Sequence, residues 1–165
     1  MTWYVVAAMV RAKADTGELL VCTHVKALRS YDIEERLEAG MLLTGSEVKS
    51  LRARHADLDG SYASVDNGEL FLHKMHIGPY PQAGAFGHEP TRSRKLLVHT
   101  QEIKRLVGKL AQRGYALVPV RVYFKGRRAK VELGLGRGRR KGDHREQIRR
   151  DLDLREARAA MARRR

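Results

Sequence analysis

Asn67-Gly68 lies between two runs of strand-forming residues, Ser61 to Val65 and Glu69 to Ile77. A two-residue Asn-Gly loop favours left-handed backbone at both positions, so it turns the chain back on itself as an antiparallel hairpin. A second reversal is written downstream, where Ala116 to Phe124 and Ala129 to Leu135 flank Lys125-Gly126-Arg127-Arg128. Upstream, Tyr31, Ile33, Glu35 and Leu37 share one side of a period-two stretch that continues into Met41-Leu42-Leu43, read as a long first strand broken by Gly40. Any fold for this chain must therefore accommodate local antiparallel pairs.

Two helices fit between the strands. Gly45-Ser46-Glu47 opens a short one with Val48 and Leu51 on one face. Residues 99–113 carry Ile103, Leu106, Val107 and Leu110 at i, i+3, i+4 and i+7, and Gly114 stops the helix. Residues 78–94 hold Pro79, Pro81, Pro90 and three glycines, which predicts a long irregular surface connection. The pattern predicts a mainly β chain. It fits an oligonucleotide-binding-type antiparallel barrel of about five or six strands with flanking helices. An unrelated α+β sandwich fits the same strands.

The charge divides the chain further. The net charge is +14, and the last 29 residues, from Arg137, hold 12 basic groups against five acids, a surplus of seven. Half the excess thus sits in a segment with no aromatic ring, since Phe124 is the last one. Ile148, Leu152, Leu154 and Met161 are too few apolar groups to offset the entropy of folding alone. Residues 137–165 are expected to be disordered in isolation and, being rich in alanine and arginine after Arg155, helical on a partner. Such a basic chain points first to nucleic acid and second to an anionic membrane surface. The longest apolar run, Trp3 to Val10, has eight residues, far short of the roughly 18 that span a bilayer. With Cys22 as the single cysteine there is no internal disulfide. These features predict a reduced, soluble, cytoplasmic protein without a membrane segment.

Catalytic chemistry finds little support. His73 and His76 are three apart on a predicted strand and point to opposite faces, so they do not chelate one ion. Cys22 and His24 lack a third group to orient the imidazole. Glu34, Glu35 and Glu38 are better read as partners for arginine and lysine than as acid–base pairs. Gly134-Leu135-Gly136-Arg137-Gly138 lacks the Gly-Lys-Ser/Thr of a phosphate loop. Its glycines read as a close exit from the barrel along an RNA backbone, with Arg137, Arg139, Arg140 and Lys141 on phosphates, or as a plain hinge. No metal or cofactor is expected.

Four segments together resemble the SsrA-binding protein family, also called small protein B. They are Tyr-Asp-Ile-Glu-Glu-Arg-Leu-Glu-Ala-Gly (31–40), Leu-Thr-Gly-Ser-Glu-Val-Lys-Ser-Leu-Arg-Ala (43–53), Glu-Pro-Thr-Arg-Ser-Arg-Lys-Leu-Leu-Val-His (89–99) and the stretch from Leu117 to Arg140. The resemblance covers about residues 26–150, in the family's order and spacing. It implies a non-enzymatic, monomeric protein that binds the tRNA-like domain of transfer-messenger RNA. The complex enters the A site of a stalled 70S ribosome, and the tail enters the empty mRNA channel beside the 16S rRNA decoding centre. It further implies three parts: an N-terminal extension (1–23) without an assigned role, an RNA-binding barrel (24–136) and a basic tail (137–165).

The same resemblance implies site residues. Glu38 matches an acidic position at the RNA surface, and Lys130, Gly138, Arg139 and Arg140 match basic or glycine positions near the same RNA. Arg137 extends that stripe, and Lys26 and Arg29 fall in a basic stretch before the first strand. His24 stands where the family often has Asn. For the decoding centre and mRNA channel the tail offers Lys141, Gly142, Asp143, His144, Arg145, Ile148, Arg149, Arg150 and Met161. Gly142 replaces a ring that the family often carries just before Asp143. His144 would substitute for that ring if the tail shifts register.

Overall fold

A computed structural model describes residues 17–139. In chain order the elements are β1 (Glu18–Thr23), α1 (Val25–Ser30), β2 (Tyr31–Met41), α2 (Gly45–Arg52), β3 (Ala56–Asp57), β4 (Tyr62–Asp66), β5 (Glu69–His73) and β6 (His76–Ile77). A 3-10 turn at Pro81–Phe86 precedes β7 (Arg94–Leu97), α3 (Thr100–Leu110), β8 (Tyr115–Lys125) and β9 (Arg128–Gly138). Both hairpins form. Asn67 and Gly68 take φ values of 51° and 76°, and Gly126 takes 61°, a left-handed value that glycine adopts without steric cost.

Seven strands run β1-β8-β4-β5-β7-β2-β9, and β9 also pairs with β8, so the last six close into a ring of antiparallel neighbours, while β3 and β6 pair separately. Closure removes the free edges of those six strands. It works because one edge of β8 serves two partners: Leu117 pairs with Ala63 of β4, whereas Arg121 to Lys125 pair with Thr23 to Glu18 of β1. A bulge between Pro119 and Arg121 turns the strand between these two tasks.

Inward residues of every strand fill the ring. Leu70, Leu72, Val122 and Leu133 are fully buried, and α2 adds Leu51. β8 is buried on both faces from Leu117 to Phe124, because α1 and α3 pack against it from outside the barrel.

The elements depart from the sequence reading at four places. Gly40 does not break β2, which pairs with β7 through Gly40 and Met41. The missing Cβ leaves room for Leu97, whose own Cβ would lie 3.3 Å away. The run from Glu69 to Ile77 is two strands, because Lys74 takes a left-handed φ of 58° and turns the chain. The glycines at 134, 136 and 138 are not an exit loop; they lie within β9, paired with Arg36, Ile33 and Tyr31 of β2. Finally, Glu18–Thr23 belongs to the sheet, ahead of the expected barrel boundary at residue 24.

Candidate nucleic-acid interface

Alternate residues of a strand point to opposite faces, so the chain neighbours of inward Leu37, Ala39, Val131 and Leu133, which pair with one another, define an outer face by exclusion. That outer face carries Arg36 and Glu38 on β2, Lys130 and Glu132 on β9, and Arg121, Tyr123 and Lys125 on β8. Register sets Glu38 opposite Glu132 and Lys130 opposite Tyr123. Long polar side chains from three strands therefore converge on one patch.

Glu38 is its centre. Tyr123 donates its hydroxyl hydrogen to Glu38 Oε2. Lys130 Nζ lies 3.5 Å from Glu38 Oε1 and Lys125 Nζ 3.7 Å from Oε2. The Tyr123 hydrogen bond, helped by the two ammonium groups, holds the Glu38 carboxyl below its ordinary range despite some burial. Burial and the same bond to Glu38 push the Tyr123 hydroxyl well up, so it remains a donor.

A second row runs alongside. Arg121 pairs through Nε with Glu132 and places Nη1 3.3 Å from Glu18 Oε2, while Arg36 Nη1 lies 3.4 Å from Glu132 Oε1. The Arg121 guanidinium also sits 4.5 Å from the centre of the Tyr123 ring. In the first row one carboxylate is shared by two ammonium groups, which fixes them while leaving positive charge uncancelled, whereas in the second two carboxylates balance two guanidinium groups. Lys125 and Arg36 keep about half their side-chain surface in solvent, at 55% and 49%. Such a surface suits phosphate contact, where fixed cations position a backbone.

The other expected residues lie elsewhere. His24 is buried; its Nδ1 donates to the Pro119 carbonyl at 3.0 Å and its backbone N–H to Val120 at 2.7 Å. It thereby pins the start of α1 to the β8 bulge. Lys26 forms an exposed ion pair with Asp59 that raises the lysine and lowers the aspartate. Arg29 is exposed in the last turn of α1. Arg137 lies at the far end of β9, roughly 23 Å from Lys130 at the rise of an extended strand. There its Nη2 donates to Tyr115 Oη at 3.2 Å, its guanidinium covers the Tyr115 ring at 4.5 Å, and Nε is 3.9 Å from Glu34. Gly138 pairs with Tyr31, and Arg139 follows. Arg140, Lys141, Gly142, Asp143, His144, Arg145, Ile148, Arg149, Arg150 and Met161 fall outside the described residues.

The structure thus brings Glu38 and Lys130 together and separates them from Arg137. Tyr123, Lys125, Arg121, Glu132 and Arg36 were not singled out in the sequence. The alternation Val120-Arg121-Val122-Tyr123-Phe124-Lys125 carried a signal for the β8 members of the group. The Cys22 thiol is pushed up to about 12, chiefly by burial. Among the described residues no cluster of three or more His, Cys, Asp or Glu could hold a metal ion, and no helix is long and apolar enough to cross a membrane.

Residues 21–163 match the family model of the SmpB protein. An SsrA-binding protein of Geobacter metallireducens is 50% identical over 145 residues, covering 88% of this chain and 95% of that one. The SsrA-binding protein of Chloroflexus aurantiacus is 54% identical over 130 residues, 78% of this chain and 81% of that one. Among solved structures, a chain from tmRNA-SmpB at the center of the bacterial ribosome is 46% identical. It has a TM-score of 0.60 and covers 75% of this chain and 91% of its own length.

Proposed function

The chain belongs to the SmpB protein family, and we propose from that premise that it binds the tRNA-like domain of transfer-messenger RNA and delivers it to stalled ribosomes. The observation that carries the reading is the patch around Glu38, where one carboxylate orders Lys125 and Lys130 on the outer face of the barrel. Recognition of a folded RNA rests on shape, phosphate and 2′-hydroxyl contacts more than on base edges. In this role Lys125, Lys130 and Arg36 meet phosphates. Glu38 keeps the lysines in register and can accept from a ribose hydroxyl. Arg137, Gly138, Arg139 and Arg140 extend the contact toward the tail, and Lys26 and Arg29 lie at its fringe. His24 acts indirectly, by holding α1 in place.

The tail then supplies a second RNA surface. The tail from Lys141 onward enters the vacant mRNA channel, whose walls are rRNA phosphate, and its cationic character favours entry only where no message competes. The protein works by binding, as a cytoplasmic monomer, and transforms no substrate.

Affinity for a tRNA-like RNA should fall steeply with salt, by about 0.7 to 0.9 in log–log slope for each phosphate neutralised. An RNA lacking the tRNA-like elbow that bound equally well would refute the proposal. A chain ending at Arg139 keeps every strand of the described residues and should retain most of that affinity while losing tagging on stalled ribosomes. Undiminished tagging would refute the tail's role.

A further inference from the structure

At the other end of β8 from the Glu38 patch, three tyrosines line one open groove of about 480 Å³ between α3 and the β4–β8 contact: Tyr31, Tyr62 and Tyr115. The strands there are joined by the single pair Ala63–Leu117, so the outer surface is not closed over by sheet. Much of the remaining lining is apolar, and Tyr62 and Val107 at its lip keep 44% and 47% of their surface in water. Tyr62 is covered only in part, by His73 stacked on its ring.

Both ends of the groove carry a cation on an aromatic ring. Arg137 lies over Tyr115 at one end, and Lys74 lies 5.9 Å from the Tyr62 ring at the other. The strip continues past Tyr62, which stacks on His73 with centroids 5.1 Å apart and planes at 28°. His73 has no free edge: Nε2 bonds Ser64 Oγ and Nδ1 bonds Ser93 Oγ, each at 2.8 Å. Tyr115 Oη is likewise engaged, donating to Glu34 at 2.7 Å. Hydrogen-bonding edges that are already satisfied leave ring faces as the means of recognition. Ring faces flanked by cations, on a chain of net charge +14, fit unpaired nucleobases whose phosphates reach the cations.

We propose that this groove is a second RNA site, which takes stacked, unpaired nucleobases of single-stranded RNA rather than a folded helix. It rests on the reading of the protein as RNA-binding but uses none of the residues around Glu38. Tyr62 and Tyr115 are the stacking residues; Arg137 and Lys74 hold the flanking phosphates; His73 positions Tyr62.

The test uses the full chain and two probes, an oligoadenylate of about eight nucleotides and the same length of abasic sugar–phosphate. Fluorescence anisotropy should show the oligoadenylate bound at least about tenfold more tightly than the abasic strand, the difference expected for a stacked base. Tyr62→Leu should remove that difference and leave abasic binding unchanged, Tyr115→Leu should remove it while also weakening abasic binding because Arg137 rests on that ring, and Tyr62→Phe, which keeps the ring, should retain it. Unchanged circular dichroism and melting temperature for Tyr62→Leu, at an exposed site, guard against misfolding. Equal binding of the two probes by the parent chain, or full retention of the difference in both leucine variants, overturns the proposal. Weakened tRNA-like RNA binding in Lys130→Ala with the oligoadenylate preference intact supports it, and separates the two sites. Failure of the tRNA-like RNA to bind the parent chain would refute the earlier proposal without touching this measurement.

Discussion

Glu47 on α2 and Arg94 at the start of β7 are both fully buried, with Arg94 Nε 2.8 Å from Glu47 Oε1. The pair is satisfied on every side. Arg92 reaches both Glu47 oxygens at 2.8 and 2.6 Å, and the Thr44 N–H donates to Oε2 at 2.8 Å. Arg94 donates through Nη1 to the Met75 carbonyl at 2.7 Å and through Nη2 to Pro90 at 3.0 Å. One carboxylate therefore ties the first turn of α2 to the segment that ends the long connection, and two of the four diagnostic sequence segments meet there.

Removing Glu47 should strand Arg94 in the core. Burial alone already lowers the Arg94 guanidinium, and Glu47 is what offsets it. Glu47→Ala is expected to destabilise the barrel by about 3–5 kcal/mol, the range for a buried charge left without its partner. Arg94→Met should cost less, because Arg92 still neutralises Glu47. Urea denaturation of the two variants and the double mutant checks this; a loss below about 1 kcal/mol for Glu47→Ala would show that the pair is replaceable.

The same carboxylate predicts an acid limit. Burial pushes Glu47 up, but the bonds from Arg92, Thr44 and Arg94 outweigh it and hold the folded value below the ordinary 4.5. A depressed folded value contributes stability that is fully present above the unfolded value and is lost as pH falls through the folded one. Glu38, held down by Tyr123, acts in the same direction more weakly at its exposed site. The urea midpoint should thus stay level from neutral pH to about pH 5 and drop below 4.5, and Glu47→Gln should flatten that drop while lowering the plateau. An equally steep drop in Glu47→Gln would assign the acid limit to other groups.

Within the Glu38 patch, charge and positioning make separable predictions. Lys130→Ala removes a cation and should reduce the salt slope of RNA binding by about 0.7 to 0.9, one phosphate contact. Tyr123→Phe removes only the hydroxyl that anchors Glu38, so it should weaken affinity several-fold with the slope unchanged. Titration across a salt series distinguishes them; a reduced slope in Tyr123→Phe would mean that the hydroxyl acts through the lysines' charge.

How much of this was legible beforehand depends on sequence distance. Asn67-Gly68 and Gly126 announced both hairpins because a tight turn is decided by adjacent residues. The helix α3 was legible from its own apolar spacing. By contrast α1 and β7 span six and four residues and carry no period of their own; packing on β8 and pairing with β2 and β5 define them. Glu47 read only as a helix-opening residue, since its partners Arg92 and Arg94 lie 45 and 47 positions on. Glu38 was found through family resemblance, yet Tyr123, which fixes it from 85 positions away, was not. Cross-strand partners depend on register, and register here includes bulges at Glu34 and Val120 that no local pattern announces.

The glycines of β9 show the same limit and yield a sharp test. A Cβ on Gly136 would lie 2.1 Å from the Asp32 carbonyl oxygen, a backbone atom that cannot turn away. Gly136→Ala must therefore push β2 and β9 apart, at a cost of at least about 3 kcal/mol. At Gly126 the space is open and only the left-handed φ of 61° resists a side chain, so Gly126→Ala should cost about 1–2 kcal/mol. Thermal melts of the two variants would give this order if close strand approach, rather than flexibility, explains the glycine run. The reverse order would restore the hinge.

Gly142 offers a test by gain. The family resemblance puts an aromatic ring immediately before Asp143, and this chain has glycine there. If the tail acts by stacking in the decoding centre, a ring restored at that position should contribute about 1–3 kcal/mol, the usual worth of one aromatic–base stack. Gly142→Tyr should then raise tagging on stalled ribosomes at limiting protein, while leaving affinity for the isolated tRNA-like RNA unchanged because the barrel is untouched. His144→Ala supplies the complement. If His144 serves in place of the missing ring, that variant should lose tagging in the parent chain and regain it when Gly142→Tyr is added. Tagging indifferent to both changes would mean that charge alone, and no stacked ring, carries the tail's contact.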